Sequence, residues 1–490
     1  MSDFLGGCNQ SSHYRSVSLR MPRVRAVQPS ALTACTFAFA GSALRVETNS
    51  PAILSAARAT FSQTPACAVR AFEFKLLVER QSSSDDQRQC CDSRTQPYFR
   101  GRDHLVIAVY GGGAMLFDLL GCRAVGVFSE ELAADENYWR RVIFPVAIGI
   151  ISASIGTVPL HCATLVRNGR GLHISGLSGA GKSTLSVALA QRGFALLSDD
   201  WTYFTRNDAS VAAYGVPVPV KLMPAARQFF PELLRLSPTV SLNGELAFEV
   251  DPCALFSASS TFSCTPERII FLRRRPRMRP QWSRLSPAHV ENQFRPALER
   301  MPEVLHRARD EQHGIIAAVA QLESWSLICG GDPHQIAAEI ENFIASPPAD
   351  QQFVTERLPS HFEIPDLMFR FVPAPLIADI VVSGVCIRLE TDLPELFDLA
   401  PTLRVPHPPT HPEVRCTVLK DDGVRRLTTA AACDGCLSCR IVPGAACQIA
   451  DQGTRRIVAF VTGEQARRPT FLDELLEAAS QTKQERGITP

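Results

Sequence analysis

The sequence predicts an α/β core built around a phosphate-binding loop and flanked by two β-rich α+β modules, the second a diverged copy of the first. Three observations predict it. Residues Gly176-Leu177-Ser178-Gly179-Ala180-Gly181-Lys182-Ser183 spell G-x-x-x-x-G-K-S, between a run that suits a buried strand (Gly171–Ser175) and apolar residues at helical spacing (Thr184–Arg192) that stop at Gly193. The pattern Gly41-x-x-x-Arg45-x-Glu47-Thr48-x-x-Pro51 recurs with identical spacing as Gly384-x-x-x-Arg388-x-Glu390-Thr391-x-x-Pro394. A proline-rich stretch, Ser346–Pro375, separates the core from the second copy and reads as linker.

Size and composition bound the rest. The 490 residues leave room for two or three domains. A net charge of +1 with 20% charged residues gives no field that would favour nucleic acid or a membrane surface, so neither is expected as a partner. Sixteen scattered cysteines in a long chain read as reduced thiols, hence a cytoplasmic protein. No secretory signal is expected at the start, and Met21 is an alternative first residue.

In chain order, residues 1–29 are polar, basic and expected to be disordered. The first module, 30–155, opens with strand patterns at Phe37–Ala40 and Leu44–Glu47, a helix at Pro51–Phe61 and a strand at Val69–Val78. Gln81–Gln96, with Cys90-Cys91, reads as an inserted loop, and strands resume at His104–Tyr110 and Ala124–Phe128. Val142–Leu160 carries no charge and is long enough to span a bilayer, yet Pro145, Pro159, Gly149 and Gly156 favour a buried helix followed by a loop. The core occupies 156–345, with later strands at Ala247–Val250 and Arg268–Leu272 and a closing strand–helix pair at Trp325–Ala345. The second copy spans 376–480: besides the pattern above, Val69-Arg70 matches Val414-Arg415 and Arg123–Phe128 parallels Arg456–Phe460. Having no phosphate loop, it is expected to be separable.

The chemistry concentrates in Leu160–Trp201. Gly176, Gly179 and Gly181 let backbone N–H groups of Ser178, Ala180 and their neighbours curl around a polyphosphate; Lys182 reaches the outer phosphates, and Ser183, followed by Thr184, offers a hydroxyl to Mg²⁺. After the helix, Ala195–Ser198 is an apolar strand ending in Asp199-Asp200, where a metal ligand or a base is expected.

Leu160-His161, the loop, the Arg192-Gly193 turn and Asp199-Asp200, in this order and spacing, resemble the C-terminal kinase domain of the HPr kinase/phosphorylase family. The resemblance implies an ATP- and Mg²⁺-dependent kinase acting on a serine of a protein or peptide. Asp199 would be the base on the acceptor hydroxyl, His161 would tune or hold it, and Asp200 would be structural or metal-linked. The sequence departs from the family at Thr184, where the family has Glu, and at Tyr214–Lys221, where it has an acidic ligand before a Gly-rich segment. HPr as the acceptor and phosphorylase activity are therefore not implied. A second reading is an ATP-binding or ATP-hydrolysing regulator that works through the flanking modules, and oligomeric state is left open.

Two weaker signals remain. Arg273-Arg274-Arg275, with Arg277 and Arg279, follows a strand and reads as an exposed hairpin tip, with contact to phosphate or an acidic partner as the alternative. Cys433-x-x-Cys436-x-x-Cys439 has metal-like spacing but lacks the proline-marked fourth ligand of iron–sulfur runs, and reads as an unligated cluster.

Overall fold

The structure, a computed structural model, describes residues 32–61, 70–79, 97–207, 210–216, 218–241, 245–295, 303–346, 374–382, 385–399, 414–427, 430–434, 437–442, 445–468 and 471. The tail 1–29, the insertion 81–96 with Cys90-Cys91, and nearly all of the linker lie outside them.

Strands β1 (Thr33–Phe39) and β2 (Ser42–Thr48) form a hairpin, and helix α1 (Pro51–Thr60) crosses to β3 (Arg70–Glu79), which runs parallel to β2. The Ser50 side chain caps α1 by accepting from the Ile53 N–H, and Pro51 stands in the first turn, where its missing donor costs nothing. β4 (Tyr98–Arg102), β5 (Leu105–Tyr110), β6 (Gly113–Asp118) and β7 (Arg123–Ser129) complete a seven-stranded sheet in the order β1-β2-β3-β7-β6-β5-β4. Short helices α2 (Glu130–Ala134) and α3 (Glu136–Tyr138) lead into a π-helical turn, Trp139–Ile143, and α4 (Phe144–Ile151). The charge-free stretch is thus a buried helix followed by turns before the next strand begins at Val158. Phe144, Ile148 and Ile151 are buried in the first module's core, with Trp139 wedged between Phe128 and Phe144. No helix among the described residues is long and apolar enough to cross a membrane.

The core has eight-stranded pairing around β8 (Val158–Arg167), β9 (Arg170–Gly176), β10 (Ala195–Ser198), β11 (Trp201–Asn207) and β12 (Ser210–Tyr214), with α5 (Lys182–Ala190) after β9. A small three-stranded sheet of β13 (Val220–Leu222), β14 (Thr239–Val240) and β15 (Leu246–Val250) forms a flap, followed by α6 (Pro252–Phe256). β16 (Ser263–Arg274), β17 (Gln281–Arg284), α7 (Pro287–Phe294), α8 (His306–Val319), β18 (Glu323–Cys329) and α9 (Pro333–Ala345) finish it. β16 runs parallel to both β9 and β18, while the pairings β8–β11, β11–β12, β12–β16, β16–β9 and β9–β8 close a ring.

The C-terminal sheet has β19 (Leu376–Val382), β20 (Val385–Thr391), α10 (Pro394–Leu399), β21 (Val414–Lys420), β22 (Ala430–Asp434), β23 (Leu437–Val442), β24 (Ala446–Asp451) and β25 (Arg456–Val461), then α11 (Gly463–Ala466). Its order, β19-β20-β21-β25-β24-β23-β22, is that of the first sheet. Register agrees as well: Thr33 faces Thr48 and Leu376 faces Thr391, Glu73 faces Arg123 and Arg415 faces Arg456. One correspondence is corrected. Leu44 faces Phe72 and Ile387 faces Val414, so Val414 takes the place of Phe72, not of Val69, which lies outside the described residues.

The two sheets share a core. Leu105, Ile107, Val109 and Leu116 pack with Leu419, Leu437, Ile449, Val458 and Phe460. Ion pairs rim this seam, Arg100–Asp421, Arg456–Asp103 and Arg102–Glu390 at 3.3 Å, and His104 Nε2 hydrogen-bonds with Asp451 Oδ2 at 3.3 Å. Cys439 is buried in the seam beside Cys447, which with burial pushes its thiol well up. Cys433 is on β22, Cys436 lies outside the described residues, and no group of three or more His, Cys, Asp or Glu side chains placed to hold a metal ion occurs among those described.

Candidate active site

The loop is held between β9 and α5. β9 ends so close to β16 that a Cβ on Gly176 would lie 2.5 Å from the Leu272 carbonyl oxygen, so only glycine fits. Gly179 (φ 76°) and Gly181 (φ 91°) take left-handed conformations, and Gly181 caps α5 without a side-chain acceptor for the first-turn N–H groups. Those donors and the positive helix end therefore stay available to an anion. A Cβ on Gly179 would meet nothing within 4 Å, so the loop's outer face is open. Ser178 is exposed and Ala180 buried, while Ser183 and Thr184 are half-buried in the first turn of α5. The Lys182 ammonium is buried and donates to the Gly176 and Leu177 carbonyls at 2.9 and 3.2 Å. Desolvation lowers its pKa against the opposing charges of Asp200 and Asp199.

The two aspartates owe their position to a break in pairing. β10 and β11 lie along the same edge of β8; Ser198 faces Thr164 and Trp201 faces His161, so Asp199 and Asp200 leave the ladder together. Buried hydroxyls fill the break. Thr202 Oγ1 lies 2.6 Å from Ser198 Oγ, 2.7 Å from Thr164 Oγ1 and 3.0 Å from the Cys162 carbonyl, and Thr164 lies 2.8 Å from His173 Nδ1.

The carboxylates part company at this break. Asp199 is buried, and its Oδ1 has no hydrogen-bond partner among the described residues. Burial, then the neighbouring Asp200 charge, pushes it up to about 7, against the Ser183 hydroxyl, the Lys221 backbone N–H and the Lys182 charge. Asp200 is exposed and accepts from His161 Nε2 at 2.6 Å, and the His161 ring stacks on Trp201 with centroids 5.3 Å apart. Desolvation raises the Asp200 carboxyl, but the His161 bond, with the Lys182 and Lys221 charges, outweighs it and leaves the pKa lowered. The His161 hydrogen bond thus goes to Asp200, not to Asp199 as sequence reasoning expects. The two adjacent carboxylates are thus pushed in opposite directions.

The Lys221 backbone contact to Asp199 has no counterpart among the site residues the sequence singles out. It comes from β13 of the flap, within Tyr214–Lys221, and no local motif marks it. Lys221 faces Glu249 on β15, and Glu249 pairs with Arg141 in the π-helical turn of the first module, so the flap is tied to that module. Arg192 points away from the site: it and Arg167 pair with Glu341 on α9, fastening the end of α5.

No protein-family model matches the sequence, and no curated protein is similar to it. Among solved structures, the chain is similar to the Hpr(Ser) kinase/phosphatase from Coxiella burnetii at 15% identity and a TM-score of 0.22, over 38% of this chain and 94% of that one. A likeness this slight carries no weight for activity.

Proposed function

We propose that the chain is an ATP- and Mg²⁺-dependent kinase that phosphorylates a hydroxyl, with a serine of a protein or peptide as the acceptor. One observation carries the reading: beside a phosphate loop whose following helix has no side-chain cap on its first-turn N–H groups, a buried carboxylate, Asp199, holds one oxygen without a hydrogen-bond partner among the described residues. Burying a carboxylate that way costs several kcal/mol, a cost that a working base explains and a packing residue does not.

Asp199 takes the proton of the acceptor hydroxyl as that hydroxyl's oxygen bonds to the γ-phosphorus; the bond from that phosphorus to the β–γ bridging oxygen breaks, and ADP departs with the electron pair. A base with a pKa near 7 suits this transfer at neutral pH. Lys182 would counter the charge on the outer phosphates. The Ser183 hydroxyl and the Asp200 carboxylate offer Mg²⁺ hard oxygen donors, with His161 holding Asp200 in place. When bound, Mg²⁺ neutralises charge on the β- and γ-phosphates.

Incubation with γ-labelled ATP and host lysate tests the reading. Label on a protein band, released as phosphoserine, is expected from the native chain and not from Asp199→Asn. Label appearing only as free phosphate would overturn the kinase reading in favour of an ATP-hydrolysing regulator.

A further inference from the structure

We propose that Arg274 is a second cation for the phosphate chain, closing over the loop's open face on a nucleoside triphosphate; this rests on the phosphate-loop reading of Gly176–Ser183. β16 runs parallel to β9 with Leu272 opposite Gly176, so two residues further on it delivers Arg274 level with the loop. A Cβ on Gly181 would lie 3.0 Å from Arg274 Nη1, which places the guanidinium over the residue that caps α5. The other end is held: Nη2 donates at 3.2 Å to the carbonyl of Gly331, in the turn after β18, where Gly331 has φ 99°.

Charge supports the same role. No carboxylate pairs with Arg274 among the described residues, whereas Arg268 and Arg192 elsewhere in the core pair with Glu323 and Glu341. An exposed, unneutralised guanidinium beside free backbone N–H groups is a site for an anion, and its planar fork suits phosphate oxygens. Lys182 approaches from within, bonded to the loop's own carbonyls, and Arg274 from outside. Gly181 directly precedes Lys182, so the contact falls on the outer phosphates and a monophosphate would not feel it.

The test is calorimetric titration of the full chain with ATP, inorganic tripolyphosphate and AMP. It compares the native protein with Arg274→Ala, Arg274→Gln, which keeps a donor for Gly331, and Lys182→Ala. Both Arg274 variants are expected to melt as the native chain does, to lose roughly 10- to 100-fold in affinity for ATP and tripolyphosphate, and to bind AMP unchanged. Native affinity for ATP in Arg274→Gln, alongside loss in Lys182→Ala, would overturn the role of Arg274 and leave the loop reading standing. A native chain that binds neither ATP nor tripolyphosphate would overturn both.

Discussion

Replacing Asp199 with Asn separates the work of this carboxylate from its cost. The side chain keeps its size but can no longer accept a proton, so transfer to the acceptor should fall by roughly 10²–10⁴-fold, about 3–5 kcal/mol of barrier. Mg·ATP binding should persist, because Lys182, the loop N–H groups and Asp200 are untouched. Stability should move the other way. In metal-free protein the carboxyl titrates at about 7 when folded, against about 3.9 when unfolded, so ionising it in the fold costs about 4 kcal/mol. The folded pKa is raised, so this stability is fully present below pH 4 and lost as pH rises through 7. The Asn variant lacks that slope and should be the more stable protein at pH 8. Urea denaturation of the apo chain at pH 5 and pH 8, with nucleotide titration and the transfer assay, reads all three. An Asn variant that transfers label normally, or that is less stable than the native chain at pH 8, would refute the assignment of a buried, charge-bearing base. Loss of Mg·ATP affinity instead would make Asp199 a metal ligand.

Three further outcomes are expected. Lys182→Ala should lower ATP binding or turnover by orders of magnitude, and unchanged turnover in a folded variant would make the loop structural. Buried His173, whose pKa burial lowers to about 3, is neutral in the fold; its contribution is present above pH 6.5 and lost as pH falls from there towards 3, up to about 5 kcal/mol, so chemical denaturation in mild acid should show a slope that His173→Gln flattens. Removing residues 374–490 should leave the loop's nucleotide binding intact but uncover Leu105, Ile107, Val109 and Leu116, so the truncated chain should self-associate in light scattering; a monodisperse truncation would mean the shared core contributes little.

Sequence alone determined what is local. Eight consecutive residues carry the loop's glycines, lysine and serine, and flanking apolar spacing supplies strand and helix, because these depend on φ, ψ and contacts a few residues apart. The repeat was legible for a similar reason: Arg45, Glu47 and Thr48 keep the spacing of Arg388, Glu390 and Thr391, and strand alternation preserves such spacing. Where spacing drifted, at Val69 against Phe72, only the ladder register corrected it. Tertiary structure decided the rest. Asp199 and Asp200 are neighbours in sequence and equal in chemistry; they differ because β8 pairs first with β10 and then with β11, leaving one carboxylate inside and the other on His161. Lys221 and Arg274 reach the site from strands far along the chain, and the apolar outer face of β5 and β6 reads as core only once the second sheet lies against it. A carboxylate's pKa and a cation's partner are set by what surrounds them in space, and pairing between distant strands settles that.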